Sequence, residues 1–212
     1  MRTGMRTGFG LLHVLTDARG GRDALAVVAA AVAAGAPVVQ VRAKGCTDRV
    51  LYEFARRVVE LCTAAGAACI VNDRVDVALA VDAMGTHLGN EDLPIAAVRR
   101  IAGPGHLIGG TARDPAGAAA LVTAGADYLG VGPAYLTTTK AGLPAPLGPA
   151  GVAAVARAVD VPVIAIGGVT AQRAPELLAA GACGVAVVTA ISEAVDPADA
   201  TRTLLRLLDG SP

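Results

Sequence analysis

Short apolar runs recur along the whole chain, each followed by a longer stretch whose apolar positions repeat with helical spacing. Runs rich in Val, Ile and Leu at 11–15, 37–41, 69–71, 85–88, 106–109, 128–131, 163–166 and 184–187 predict strands. The Ala- and Leu-rich segments between them predict helices, among them 48–64, 115–124, 149–158, 171–180 and 197–208. Ala34-Gly35-Ala36, Ala124-Gly125-Ala126 and Ala180-Gly181-Ala182 each stand just before a strand. Glycine there can take the left-handed conformation that stops a helix. The apolar stretch 25–39 is shorter than the roughly 20 residues a bilayer requires and is broken by Gly35 and Pro37. It reads as a helix running into a strand.

Eight strand–helix units in 212 residues predict a single-domain α/β chain folded as a (β/α)₈ TIM barrel, near the lower size limit for that fold. An open doubly wound sheet is the alternative, but no Gly-x-Gly-x-x-Gly follows the first strand. Residues 9–212 are expected to form the catalytic barrel. Residues 1–8, which read Met-Arg-Thr-Gly twice, are expected to be a flexible tail, with Met5 a second possible start.

Composition sharpens this reading. Apolar residues make up 54 % of the chain but aromatic ones only 2 %, so the core must be built from many small aliphatic side chains. Net charge is zero, which argues against nucleic acid and an acidic membrane as partners. Anion binding must then come from local groups. Cys46, Cys62, Cys69 and Cys183 show no paired metal spacing and read as reduced structural thiols of a cytoplasmic protein. No cleavable signal peptide is visible, because the apolar run does not directly follow the basic N-terminus.

Against this apolar background, polar clusters follow the strands, where a parallel barrel gathers its functional groups. Gln40, Arg42 and Lys44 alternate along an extended segment and so share one side, with Val39 and Val41 facing the helical layer. Two cations and an amide on one side make an anion clamp. Asp73 follows the third strand and Asp92 the fourth, so both carboxylates can reach one hard cation such as Mg²⁺. As helix caps they would have a purely structural role. Thr137, Thr139 and Lys140 lie in the segment 132–149, about 18 residues long and longer than most βα loops. Gly167-Gly168 and Val188-Thr189 follow the seventh and eighth strands, whose loops commonly hold a phosphate in this fold. Two anion sites over one barrel mouth suggest group transfer between two phosphorylated substrates.

The ordered set Thr16-Asp17, Gln40-Val-Arg-Ala-Lys44, Asn72-Asp-Arg-Val-Asp76, His87-Leu-Gly-Asn-Glu-Asp-Leu-Pro94, Gly130-Val-Gly-Pro133, Thr137-x-Thr-Lys140 and Ile166-Gly-Gly168 resembles the thiamine-phosphate synthase family over about 11–208. That family joins 4-amino-2-methyl-5-hydroxymethylpyrimidine diphosphate to a thiazole monophosphate, releasing pyrophosphate. Whether the thiazole is carboxylated is left open. The resemblance implies that Gln40, Val41, Arg42, Ala43, Lys44, Asn72, Thr111 and Lys140 bind the pyrimidine diphosphate. It implies Thr137, Thr138, Thr139, Gly168, Val188 and Thr189 for the thiazole phosphate, and Asp73 and Asp92 for Mg²⁺. Arg42, Lys44 and Lys140 would be the catalytic cations, assisting a dissociative departure of pyrophosphate. The partners expected are two small phosphorylated molecules, with a homo-oligomer left open.

Some positions depart from the family's commonest pattern. Thr111-Ala112-Arg113 stands where Ser-Thr-His is usual, His13 where Tyr is frequent, Asn90 for Gln, Leu136 for Pro and Thr189 for Ser. His87 and His106 read as structural. The rival readings are a thiazole tautomerase of the same superfamily and a non-catalytic phosphate-ligand sensor. Both are disfavoured by the complete clamp and the aspartate pair.

Overall fold

The computed structural model of the protein describes residues 10–17, 19–139 and 142–210. The expected flexible tail at 1–8 and Lys140 lie outside the described residues. Eight parallel strands close into a barrel in sequence order. They are β1 (Leu12–Leu15), β2 (Val38–Val41), β3 (Ala68–Asn72), β4 (Gly85–Leu88), β5 (Leu107–Ala112), β6 (Tyr128–Val131), β7 (Val163–Ile166) and β8 (Gly184–Val187). Nine helices are seen among the described residues: α1 (Ala24–Ala33), α2 (Asp48–Ala65), α3 (Val75–Ala80), α4 (Ile95–Ala102), α5 (Pro115–Thr123), α6 (Gly148–Ala158), α7 (Ala174–Ala179), α8 (Thr189–Ser192) and α9 (Pro197–Leu208). The doubly wound alternative is thereby excluded.

The strand and helix bounds follow the apolar pattern closely, with two informative differences. β5 continues to Ala112 because Thr111 and Ala112 still pair with Gly130 and Val131 of β6. α7 begins at Ala174 because the preceding turn is closed by Arg173 and Ala174 amides donating to the Thr170 carbonyl. Gly35, Gly125 and Gly181 all take positive φ where their helices stop. At the first of these, the Ala36 amide donates back to the Ala31 carbonyl at 3.0 Å.

Burial follows the two layers of the fold. Val39 and Val41 of β2 pack outward with Val28, Ala55 and Val58 between sheet and helices. Inside the barrel, Leu15, Tyr128, Ile164 and Ala186 form a separate cluster. Each buried aliphatic side chain contributes about 1.5–3 kcal/mol relative to exposure, so a core of many small residues suffices without Trp. No described helix is long and apolar enough to cross a membrane.

Candidate active site

A cavity of about 670 Å³ opens within the barrel, lined by residues from the carboxyl ends of the strands and the loops that follow. Its first flank is built on β2, β3 and β4. Gln40, Arg42, Ala43, Lys44 and Asn72 line it. Thr16, just past β1, holds the chain where it leaves β2. Its hydroxyl accepts from the Arg42 amide at 2.8 Å and donates to the Arg42 carbonyl at 3.1 Å. The Arg42 guanidinium makes no ion pair with a described carboxylate, so its charge is available to a ligand. Val41 is fully buried on the helical side, so only its backbone can face a ligand.

Asp73 takes φ of 65°, an uncommon conformation for a residue with a side chain. Its amide donates to the His87 carbonyl at 2.8 Å. Its carboxylate pairs with Lys44 Nζ at 3.1 Å. Asp92 accepts from the Gly89 amide at 2.6 Å. Burial, followed by the neighbouring Asp73 carboxylate, pushes the Asp92 carboxyl above the usual range, and Lys44 opposes that shift. Neither aspartate caps a helix, because the N-cap positions of α3 and α4 are Arg74 and Pro94, neither of which makes a side-chain cap bond. Two adjacent carboxylates, on loops after neighbouring strands and next to a cationic clamp, fit Mg²⁺, which takes one or two carboxylates beside water and phosphate oxygens. Among the described residues, no group of three or more His, Cys, Asp or Glu could form a metal cage. The two aspartates adjoin the cavity through Lys44 and Asn72 rather than lining it.

The opposite flank is built on β6, β7 and β8. Thr137, Thr139, Gly167, Gly168, Val188 and Thr189 line it. Thr137 Oγ1 accepts from the Thr139 amide at 3.2 Å and donates to Thr139 Oγ1 at 3.1 Å, closing a tight hydroxyl turn. Thr138 is exposed and does not line the cavity. Gly168 has φ of 63°, and a Cβ there would stand 2.4 Å from the Leu136 carbonyl oxygen. The loop after β7 therefore lies directly against the loop after β6, with the Tyr135 amide donating to the Gly167 carbonyl at 2.9 Å.

Three features of the site were not legible in the chain. Arg113, where His is usual in the resembled family, donates to the carbonyls of Gly132 at 2.9 Å and Ala145 at 2.8 Å, bracing both ends of the loop after β6. Arg19 lines the cavity and is forked onto buried Asp17, with Nε at 2.7 Å and Nη2 at 3.0 Å. That fork, opposed by burial, holds the Asp17 carboxyl below the usual range. His87, read as structural from the sequence, lines the cavity; its Nδ1 meets the Tyr128 hydroxyl at 3.1 Å and its Nε2 meets Thr111 Oγ1 at 3.0 Å. Burial lowers the His87 pKa to about 4. His106 has the structural place expected of it, bonded to Thr86 Oγ1 at 2.8 Å just before β5. Cys62 and Cys69 are buried free thiols, whereas Cys46 is exposed and lines the cavity.

The family model described as thiamine monophosphate synthase matches residues 11–191. A thiamine-phosphate synthase of Salinispora tropica is 56 % identical over 205 residues, covering 95 % of this chain and 99 % of that relative. A thiamine-phosphate synthase of Haloquadratum walsbyi is 44 % identical over 211 residues, covering 99 % and 93 %. The solved thiamine phosphate pyrophosphorylase of Pyrococcus furiosus superposes with a TM-score of 0.88 at 36 % identity, over 97 % of this chain and 98 % of that one. With the barrel and these matches along nearly its whole length, the chain belongs to the thiamine-phosphate synthase family.

Proposed function

We propose that this transferase joins 4-amino-2-methyl-5-hydroxymethylpyrimidine diphosphate to 4-methyl-5-(2-phosphoethyl)thiazole, giving thiamine phosphate and pyrophosphate. The observation that carries the reading is the meeting of two different anion-binding flanks over one cavity, the Lys44–Asp73 ion pair on one side and the Gly168–Thr189 surface on the other. Gln40, Arg42, Lys44, Asn72 and Thr111, with the backbone at Val41 and Ala43, hold the pyrimidine diphosphate. Lys140, in the loop after β6, adds a further cation to its leaving group. Thr137, Thr139, Gly168, Val188 and Thr189 hold the thiazole phosphate, with Thr138 contributing through its backbone.

Asp73 and Asp92 would hold Mg²⁺, which when bound neutralises charge on the diphosphate oxygens. The chain's own part is to position and to stabilise the leaving group. The C–O bond at the pyrimidine methylene breaks, and its electron pair leaves with pyrophosphate. Arg42, Lys44 and Lys140 offset the charge that accumulates there. The thiazole nitrogen lone pair then forms the new C–N bond, with no proton transfer and no protein nucleophile. Holding both substrates face to face removes most of the entropic barrier. Residues 9–212 act as one catalytic unit in the cytoplasm.

The test is product formation by purified protein given both substrates and Mg²⁺, with and without EDTA. Thiamine phosphate and pyrophosphate in equal amounts, abolished by EDTA, is the expected result. Conversion of the thiazole phosphate alone, without pyrophosphate, would identify a tautomerase instead.

A further inference from the structure

Beneath the cavity, three side chains from three adjacent strands are joined in a row. His87 of β4 stands between Tyr128 of β6 and Thr111 of β5, with Nδ1 on the tyrosine hydroxyl at 3.1 Å and Nε2 on the threonine hydroxyl at 3.0 Å. The barrel makes room for this row. A Cβ at Gly109 would lie 2.2 Å from Tyr128 Cζ and 2.5 Å from His87 Nδ1, and one at Gly130 would lie 2.9 Å from His87 Cε1. Two strands therefore give up side chains where the imidazole sits.

Counting hydrogens constrains the row. A neutral imidazole has one N–H, and each hydroxyl has one O–H. With a hydroxyl on each ring nitrogen, the ring donates to one and accepts from the other. Both ring nitrogens face hydroxyls and neither faces a carboxylate, an environment that suits the neutral ring. If Nδ1 carries the hydrogen, Thr111 must donate to Nε2 and has no hydrogen left for a ligand. If Nε2 carries it, Thr111 accepts from His87 and its own hydrogen is free.

Thr111 lines the cavity, where the proposed ligand is a diphosphate ester, whose oxygens only accept. Tyr128 in turn can give its hydrogen to Nδ1 while its oxygen bonds Gln40. We propose that His87 is a positioning residue fixed as the Nε2–H tautomer by Tyr128, and that it turns the Thr111 hydroxyl into a hydrogen-bond donor toward the pyrimidine diphosphate. The ligand, and with it the choice of tautomer, rests on the function proposed above; the row of hydrogen bonds does not. The role explains why a threonine suffices at 111: only the hydroxyl is needed, and His87 sets its direction.

Two readouts test this. The first is the long-range ¹H–¹⁵N spectrum of the ligand-free protein near neutral pH. The expected result is a His87 ring with pyrrole-type Nε2 and pyridine-type Nδ1, with Tyr128→Phe loosening that preference. A predominant Nδ1–H tautomer, or an imidazolium, would overturn the proposal. The second is a double-mutant cycle of His87→Ala and Thr111→Val on KM for the pyrimidine diphosphate. His87→Ala should raise that KM about tenfold in the wild-type background but at most about twofold beside Thr111→Val, as expected for groups acting through one another. His87→Gln, which offers an amide N–H in place of Nε2–H, should recover part of the loss. Equal losses in both backgrounds, or an equal rise in KM for the thiazole phosphate, would contradict it. If wild-type protein makes no thiamine phosphate, the function fails while the spectrum still decides the tautomer.

Discussion

On the β2–β4 flank the cavity wall consists of charged side chains, whereas on the β6–β8 flank it consists of glycine, threonine and backbone. Arg42 and Lys44, beside the amides of Gln40 and Asn72, supply the first, with Asp73 and Asp92 adjoining it. Gly167 and Gly168, both at positive φ, with Thr137 and Thr139 supply the second. The two flanks should thus fail in different ways. A charged wall is damaged by removing a functional group, and a backbone wall by adding a carbon atom. Under the proposed function the difference would match the charge each flank has to meet: a diphosphate that leaves with more charge calls for cations and a metal, while a monophosphate that only anchors can be held by N–H and O–H groups.

The largest effect is expected where charge is removed. Asp73→Ala and Asp92→Ala should each lower kcat/KM by about 10² or more, on the scale of removing a transition-state electrostatic contact, while circular dichroism stays unchanged. Turnover close to wild type in either variant would take that residue out of the metal site. Next comes Gly168→Ala. Its Cβ would meet the Leu136 carbonyl oxygen at 2.4 Å in a backbone conformation disfavoured for alanine. Strain of about 1–3 kcal/mol should destabilise the fold and raise KM for the thiazole phosphate about tenfold or more. KM for the diphosphate should move far less, and equal shifts would break the division between flanks.

Smaller effects sharpen the comparison. Arg113→Ala removes two hydrogen bonds that brace the loop after β6. It should cost about 1 kcal/mol of stability and raise only the thiazole phosphate KM, by a few-fold, as read in steady-state kinetics. The smallest change in turnover is expected for Asp17→Asn, whose effect is on stability and depends on pH. Asp17 has its carboxyl held below the usual range in the folded protein. Its contribution is therefore complete above the ordinary aspartate pKa of about 3.9 and is lost as pH falls through the lowered value. Asp17→Asn should melt about 2–4 °C below wild type near neutral pH, and the gap should close in acid below about pH 4. A gap that widened in acid would refute that pairing.

The fold was legible because strands in this chain are apolar runs between helical repeats, with glycine at the helix ends. Even the bounds of β4, β6, β7, β8 and α9 coincide with the apolar pattern. The charged flank was legible for a related reason: Gln40 and Arg42 interrupt an apolar strand, and period-two alternation alone puts them on the side opposite Val39 and Val41. The row beneath the cavity was not legible. His87, Thr111 and Tyr128 come from three strands, and their meeting depends on barrel register and on space left by Gly109 and Gly130. Arg113 was hidden because its partners at Gly132 and Ala145 are backbone carbonyls that carry no sequence signal, as is the Thr139 carbonyl that Arg19 reaches from its fork on Asp17.

The most direct test of a two-sided site is calorimetric titration of each substrate alone, in Mg²⁺ and in EDTA. The account predicts that the pyrimidine diphosphate binds in Mg²⁺ and loses most of its affinity in EDTA, while the thiazole phosphate binds equally in both. Thiazole phosphate binding that also collapsed in EDTA, or diphosphate binding that survived it, would contradict the division.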